Sequence, residues 1–245
     1  MDSYTNIMGI PVPKLTMAQT VERIGGVVEG ERREELFHVV TLNPEIAMAC
    51  QHDLELRGIV DRAGLLTADG IGIVMVSRLK GNPLPERVTG CDLLLELLAE
   101  GDGRRWTFYL LGADEQTNET AAQVIRAKYP GAVVAGRHHG YFGAEDEERI
   151  VEEIRWCSPD FLIVALGAPN AERFIHKYRR QLNAKVAMGV GGSLDIIAGK
   201  VPRAPLVWRK LNAEWLFRLL NQPSRWRRQL ILPRFAVRAL LYRRR

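Results

Sequence analysis

The stretch LLTADGIGIV (65–74) sets one carboxylate, Asp69, in an otherwise apolar run, with Gly70 and Gly72 close behind it. An aspartate there has two uses. It can cap a helix beginning near Gly70, accepting from the first free backbone amides. It can also work in a cleft as a general base, taking a proton from a hydroxyl within hydrogen-bond reach. Thr41 and Asn43, just ahead of Pro44, offer hydrogen bonds to a polar ligand, or an Asx or Ser/Thr turn that caps the next helix. In ERVTGCDL, Arg87 carries the fork that grips a diphosphate, followed by Thr89 and Gly90. The bland alternative for Arg87 is a surface ion pair with Glu86 or Asp92. Gly112, Gly167, Gly191 and Gly192 let backbone amides approach a phosphate, and a helix N-terminus would add partial positive charge.

The elements that must position these groups read as alternating strands and helices. Short apolar runs at 37–43, 63–68, 106–112, 132–137, 160–167 and 185–191 suit strands buried on both faces, the habit of parallel sheets. Helical spacing appears at 115–129, at 145–156 behind an acidic first turn, and from Pro169 to Arg180. The alternation predicts an α/β fold: a Rossmann-like, mostly parallel sheet flanked by helices. Ligands of such sheets bind beyond the carboxyl ends of the strands. Of the residues singled out above, Thr41, Asn43, Asp69, Gly112, Gly167, Gly191 and Gly192 lie at or just past the end of a predicted strand. No P-loop is present, and GVGGSL (189–194) fails G-x-G-x-x-G at its last position. Spacing alone therefore stops at a nucleotide or other phosphorylated ligand.

With 245 residues, 47% apolar and 26% charged, the chain has core enough for one large domain or two small ones and reads as folded rather than disordered. Cys50, Cys91 and Cys157 fit no disulfide or metal spacing and read as reduced thiols of a cytoplasmic protein. No signal peptide or spanning segment is expected. The charge is divided unevenly. Residues 201–245 hold 12 Lys and Arg against Glu214 alone, or +11, whereas residues 1–200 hold 22 bases and 28 acids, or −6. Three of the five tryptophans also lie in that basic end. The division predicts a catalytic unit over 1–200 and a basic, helical, amphipathic appendage over 201–245.

Several segments taken together carry a resemblance: TLNPEIAMA, TADGIGIV, ERVTGCDLL, LLGAD, LGAPNAE, GVGGSLDIIAGKVPRAP and LNAEWLFRLLNQPSRWRR, in this order. They resemble the TagA/WecG/CpsF glycosyltransferases, from about Thr41 through the basic end. The resemblance implies an inverting, metal-independent transfer of N-acetylmannosamine or a related sugar. The sugar would pass from a UDP donor to a polyprenyl-diphosphate-linked sugar during cell-surface polysaccharide or teichoic acid synthesis. It implies Asp69 as the base, with Thr41 and Asn43 in the sugar pocket. Asp195 would touch donor sugar or nucleotide, unless it merely occupies a first helical turn. Tyr141 would border the uracil, core packing being its alternative. Arg203 would face the diphosphates. No cofactor or resident metal is implied. One departure stands out: the family pattern is similar to G-x-P-K-Q-E, whereas this chain has Asn170 and Ala171 at the lysine and glutamine positions. Alanine supplies neither donor nor acceptor, which leaves the sugar's identity open.

The segment RWRRQLILPRFAVRALLYRRR (225–245) interleaves arginine with apolar residues, as interfacial membrane segments do. Arg218, Arg225 and Arg228 are the candidates for anionic lipid or the lipid diphosphate. A peripheral place on the inner membrane face follows, with self-association into dimers or trimers as a further expectation. Nucleic acid would call for a recognisable binding module, and none is evident. Two other readings stay on the table. An NAD-dependent oxidoreductase would need an intact glycine fingerprint with an acid about 20 residues later, which is missing. A non-catalytic nucleotide-binding protein would dock to membrane or nucleic acid through the basic end.

Overall fold

The computed structural model describes residues 3–31, 34–205, 207–208, 214–221 and 230–242. A short hairpin comes first, β1 (Tyr4–Ile7) against β2 (Ile10–Pro13). Met8 and Gly9 form its two-residue turn, both at positive φ, the combination that matches the twist of paired strands. Helix α1 (Met17–Glu29) begins at a capping box in which Thr16 and Gln19 satisfy each other's backbone amides.

Six parallel strands follow: β3 (Phe37–Leu42), β4 (Leu65–Ala68), β5 (Thr107–Gly112), β6 (Val133–His138), β7 (Phe161–Ala165) and β8 (Val186–Gly189). They lie in the order β4-β3-β8-β7-β5-β6. All six expected strands are present, and the parallel, helix-flanked sheet is confirmed. Between them run α2 (Pro44–Ala49), α3 (Leu54–Asp61), α4 (Ile71–Leu79), α5 (Gly90–Arg104), α6 (Glu115–Lys128), α7 (Glu147–Cys157) and α8 (Asn170–Tyr178). Helix α8 starts one residue later than Pro169, which sits at its N-cap. After β8 come α9 (Ser193–Ile197) and helices at Glu214–Asn221 and Ile231–Leu241.

Strand side chains alternate between two apolar layers, as the two-residue period requires. Val39, Phe108, Ile163 and Met188 face α1, α5 and α6. On the other face, Val40 and Leu42 meet α2, α3 and α4, while Tyr109, Leu162 and Ala187 meet α7 and α8. The Ile231–Leu241 helix joins this second face: Phe235 and Ala239 are fully buried with α2 and α4. Lys80 Nζ donates to its Ala239 and Tyr242 carbonyls, both at 3.2 Å. The register brings the carboxyl ends level, pairing Leu42 with Ala68, Val164 with Gly189, and Gly112 with Ala165.

Candidate active site

The six parallel strands all end at the same edge, and there the chain leaves a cleft of about 660 Å³. That volume lies in the range of small-molecule sites. Thr41, Asn43, Asp69, Arg87, Thr89, Tyr141, Gly167, Gly191, Gly192 and Asp195 line it together, although they come from six separate connections between elements. Gly90, Gly112 and Arg203 do not form its lining.

Asp69 follows β4, and its backbone N–H extends the sheet by donating to Leu42 O at 2.9 Å. The N-cap of α4 is Gly70, with no side-chain cap hydrogen bond. The Asp69 carboxylate instead accepts from the N–H of Gly90, the first residue of α5, at 3.4 Å. Gly90 thus has a part in the site without lining it, and a Cβ there would press within 3.3 Å of Thr41 Cγ2. Thr41 is buried at the end of β3 and its hydroxyl reaches Gly189 O at 3.4 Å.

Asn43 caps α2: its Oδ1 accepts from Ile46 N–H at 2.9 Å. The turn reading of Asn43 is therefore real, and it coexists with a place in the cleft wall. Thr89 likewise caps α5, accepting from Asp92 N–H and donating to Asp92 Oδ2 at 2.8 Å. Arg203 ion-pairs with the same Asp92 at the rear of that turn.

Arg87 pairs with neither of its expected neighbours. Glu86 accepts from Met17 N–H at 2.7 Å, and Arg87 Nη2 lies 3.3 Å from Glu214, at the start of the Glu214–Asn221 helix. Both side chains are largely buried and both line the cleft. Lys200 adds a second cation. It meets Asp114, the N-cap of α6, and holds that carboxyl well below the usual carboxylate range, aided by hydrogen bonds from Thr117. Asp195 sits in the first turn of α9, 4.0 Å from Lys200. Tyr141 stands at the rim, 79% exposed, and is no core residue.

The glycines answer to geometry. Gly112 has φ +121°, and a Cβ there would lie 2.5 Å from the Ala165 carbonyl, so its role is the close approach of β5 to β7. Gly191 has φ +51° with open space around it, leaving its backbone free to face the cleft.

Sequence reasoning missed Glu172, Lys200, Glu214 and Trp215 in the lining. Lys200 and Glu214 lie far along the chain from their partners, so no local spacing points to them. Glu172 is 2% exposed, and burial pushes its carboxyl up from the ordinary value. Ala171 beside it is also buried, and it leaves the wall apolar where the family pattern has an amide. The side chain of Arg218 and the whole of Arg225 and Arg228 lie outside the described residues. Among the described residues, no three His, Cys, Asp or Glu side chains gather in a way that could hold a metal ion, and no helix is long and apolar enough to cross a membrane.

Comparison with known proteins agrees with this geometry. The chain is 37% identical over 206 residues to a Bacillus spizizenii protein named N-acetylglucosaminyldiphosphoundecaprenol N-acetyl-beta-D-mannosaminyltransferase, covering 84% of this chain and 79% of that one. A Staphylococcus aureus protein of the same name is 37% identical over 231 residues, covering 94% and 89%. The model of the Glycosyl transferase WecG/TagA/CpsF family matches residues 5–245. With the expected fold, the cleft at its carboxyl edge and a match over nearly the whole length, the chain belongs to the WecG/TagA/CpsF family of glycosyl transferases.

Proposed function

We propose that this chain transfers N-acetylmannosamine, or a closely related sugar, from a UDP donor to a polyprenyl-diphosphate-linked N-acetylglucosamine. The carrying observation is one cleft that joins a carboxylate, Asp69, to two hydrogen-bonding residues, Thr41 and Asn43, and two cations, Arg87 and Lys200. The names of the relatives supply the acceptor and the sugar.

In this reading the acceptor hydroxyl attacks the anomeric carbon from the face opposite UDP. The new C–O bond forms as the bond to the UDP oxygen breaks, so the configuration inverts. Asp69 takes the hydroxyl proton as the attack proceeds. Arg87 and Lys200, with the backbone of Gly191 and Gly192, offset the charge that collects on the departing diphosphate. Arg87 must release Glu214 or share its fork with it when the diphosphate arrives. Tyr141 borders the uracil at the open rim.

A peripheral membrane position completes the proposal. Leu232 lines the cleft, so the Ile231–Leu241 helix borders its mouth. The outer side of that helix exposes Arg234, Val237, Arg238 and Leu241. Mixed arginine and apolar side chains suit an anionic bilayer surface, where each basic residue contributes roughly 1 kcal/mol. The cleft mouth would then face the lipid that carries the acceptor.

The direct test supplies radiolabelled UDP-N-acetylmannosamine and a lipid-diphosphate N-acetylglucosamine acceptor to purified protein. Label moving into the lipid product, with UDP released, is expected. Transfer only from other UDP-sugars would overturn the choice of sugar, and no UDP binding at all would overturn the reaction class. Vesicle flotation tests the membrane part: salt-sensitive binding to anionic vesicles should be lost in Val237→Glu/Leu241→Glu, and unchanged binding would refute it.

A further inference from the structure

Glu172 is the third residue of α8 and lies in the cleft wall with 2% of its surface exposed. Its Oε2 is buried without a hydrogen-bond partner. Buried carboxyl oxygens are normally satisfied, because stripping them of water without a replacement bond costs stability. The strand beside it gives way to admit this group. Gly189 ends β8, and a Cβ at that position would lie 2.7 Å from Glu172 Oε1 and 3.2 Å from Ala171 Cβ. The chain therefore keeps β8 bare of a side chain at the one place that houses the carboxyl. Thr41 meets the Gly189 carbonyl at the same strand end.

Position narrows the ligand. Asp69 follows β4, and β3 separates β4 from β8. Two strand spacings, roughly 10 Å, span the gap between the Asp69 and Gly189 strand ends. That is about the breadth of one hexosamine with its substituents. The diphosphate is drawn to the cations of the lining, Arg87 and Lys200, and the uracil is assigned to the rim at Tyr141. What remains for the floor beside Gly189 is the sugar itself.

We propose that Glu172 is a specificity-determining residue whose carboxyl hydrogen-bonds a polar substituent of the transferred sugar, a hydroxyl or the acetamido group. This inference rests on the sugar-transfer reading above. Burial favours the neutral acid, which offers an O–H donor as well as acceptor capacity, and an uncharged group adds no repulsion toward the nearby diphosphate. With Ala171 contributing no polar atom, Glu172 supplies the recognition that this stretch of wall provides.

The test compares UDP with UDP-N-acetylmannosamine by titration calorimetry in wild type, Glu172→Leu and Glu172→Gln. UDP lacks the sugar, so its affinity should stay within about twofold in all three. UDP-N-acetylmannosamine should bind about tenfold more weakly to Glu172→Leu, at an unchanged or raised melting temperature, because an unpartnered buried oxygen has gone. Glu172→Gln, which keeps the shape should the leucine variant fail to fold, should alter the KM ratio between UDP-N-acetylmannosamine and UDP-N-acetylglucosamine. Equal weakening of UDP and UDP-sugar, or no weakening of either with an unaltered KM ratio, overturns the proposal. Wild type that binds neither ligand would instead sink the sugar-transfer reading, and this inference with it.

Discussion

Asp69 Oδ2 accepts a hydrogen bond from Gly90 N–H at 3.4 Å, which seats the carboxylate against the N-terminus of α5 rather than that of α4. The partial positive charge of that helix end attracts the anion. Arg87 leaves the same loop three residues before Gly90 and turns to Glu214. One excursion of the chain, from β4 to α5, thus delivers both the candidate base and one cation of the cleft lining.

The pairing of Arg87 with Glu214 separates binding from stability. Arg87→Ala removes the 3.3 Å ion pair with Glu214 between two largely buried side chains, and a loss of about 1 kcal/mol in folding stability is expected. Adding Glu214→Gln removes the other half of that pair. It should not restore UDP affinity, which is expected to stay at least tenfold below wild type. Chemical denaturation and calorimetry on the single and double variants check this. Recovery of UDP affinity in the double variant would show that Arg87 serves the fold alone.

Asn43 holds two roles that substitution can divide. Asn43→Ala removes the α2 cap and should cost about 1 kcal/mol. Asn43→Asp keeps the cap, since aspartate serves there equally well, yet brings another carboxylate to the cleft wall. A melting temperature like wild type together with weaker binding of UDP-sugar is the expected pattern, read by thermal shift with and without ligand. Full ligand binding in Asn43→Asp would leave Asn43 as a cap only.

The sheet was legible in the sequence because its strands are short, largely apolar runs, nearly all buried on both faces except β6, which exposes Val133 and Ala135, and no tertiary contact had to override that pattern. The β1–β2 hairpin was not. Its turn places Met8, a poor left-handed residue, at φ +51°, and Pro11 and Pro13 argue against strand in a local reading. Helix α1 was not read either: its T-x-x-Q box at Thr16 stands before a helix whose apolar stripe is interrupted by Gly25 and Gly26. At the site, groups that follow strands announced themselves through the carboxyl-edge rule. Glu172 did not, because a glutamate in a first helical turn normally faces solvent. It is buried here only because Gly189, 17 residues later, makes room for it. Glu214 and Lys200 reach the cleft through the fold rather than through any spacing. Phe235 and Ala239 were read as part of a membrane-facing segment, and packing against α2 and α4 buries them instead.

His38 ties stability to pH. It lies buried in β3 with Nε2 unpartnered, and burial, reinforced by His176, pulls its pKa down to about 3. The unfolded chain binds a proton at ordinary histidine pH, about 6.5, and the folded chain does not. The stability that neutral His38 permits is therefore present above pH 6.5 and is lost progressively as pH falls toward 3. Melting temperature against pH should slope less steeply between pH 6.5 and 4 in His38→Leu than in wild type. Parallel curves would show that His38 is protonated in the fold.

The central claim is that Asp69 takes the proton from the acceptor hydroxyl. Its most direct test is the single-turnover transfer rate of Asp69→Asn, which preserves shape and can still accept from Gly90. The expected result is a rate lowered about 10²- to 10⁴-fold, with UDP-sugar affinity and melting temperature close to wild type. Transfer at the full rate by the folded variant would contradict the claim and leave Asp69 as a structural brace for the start of α5.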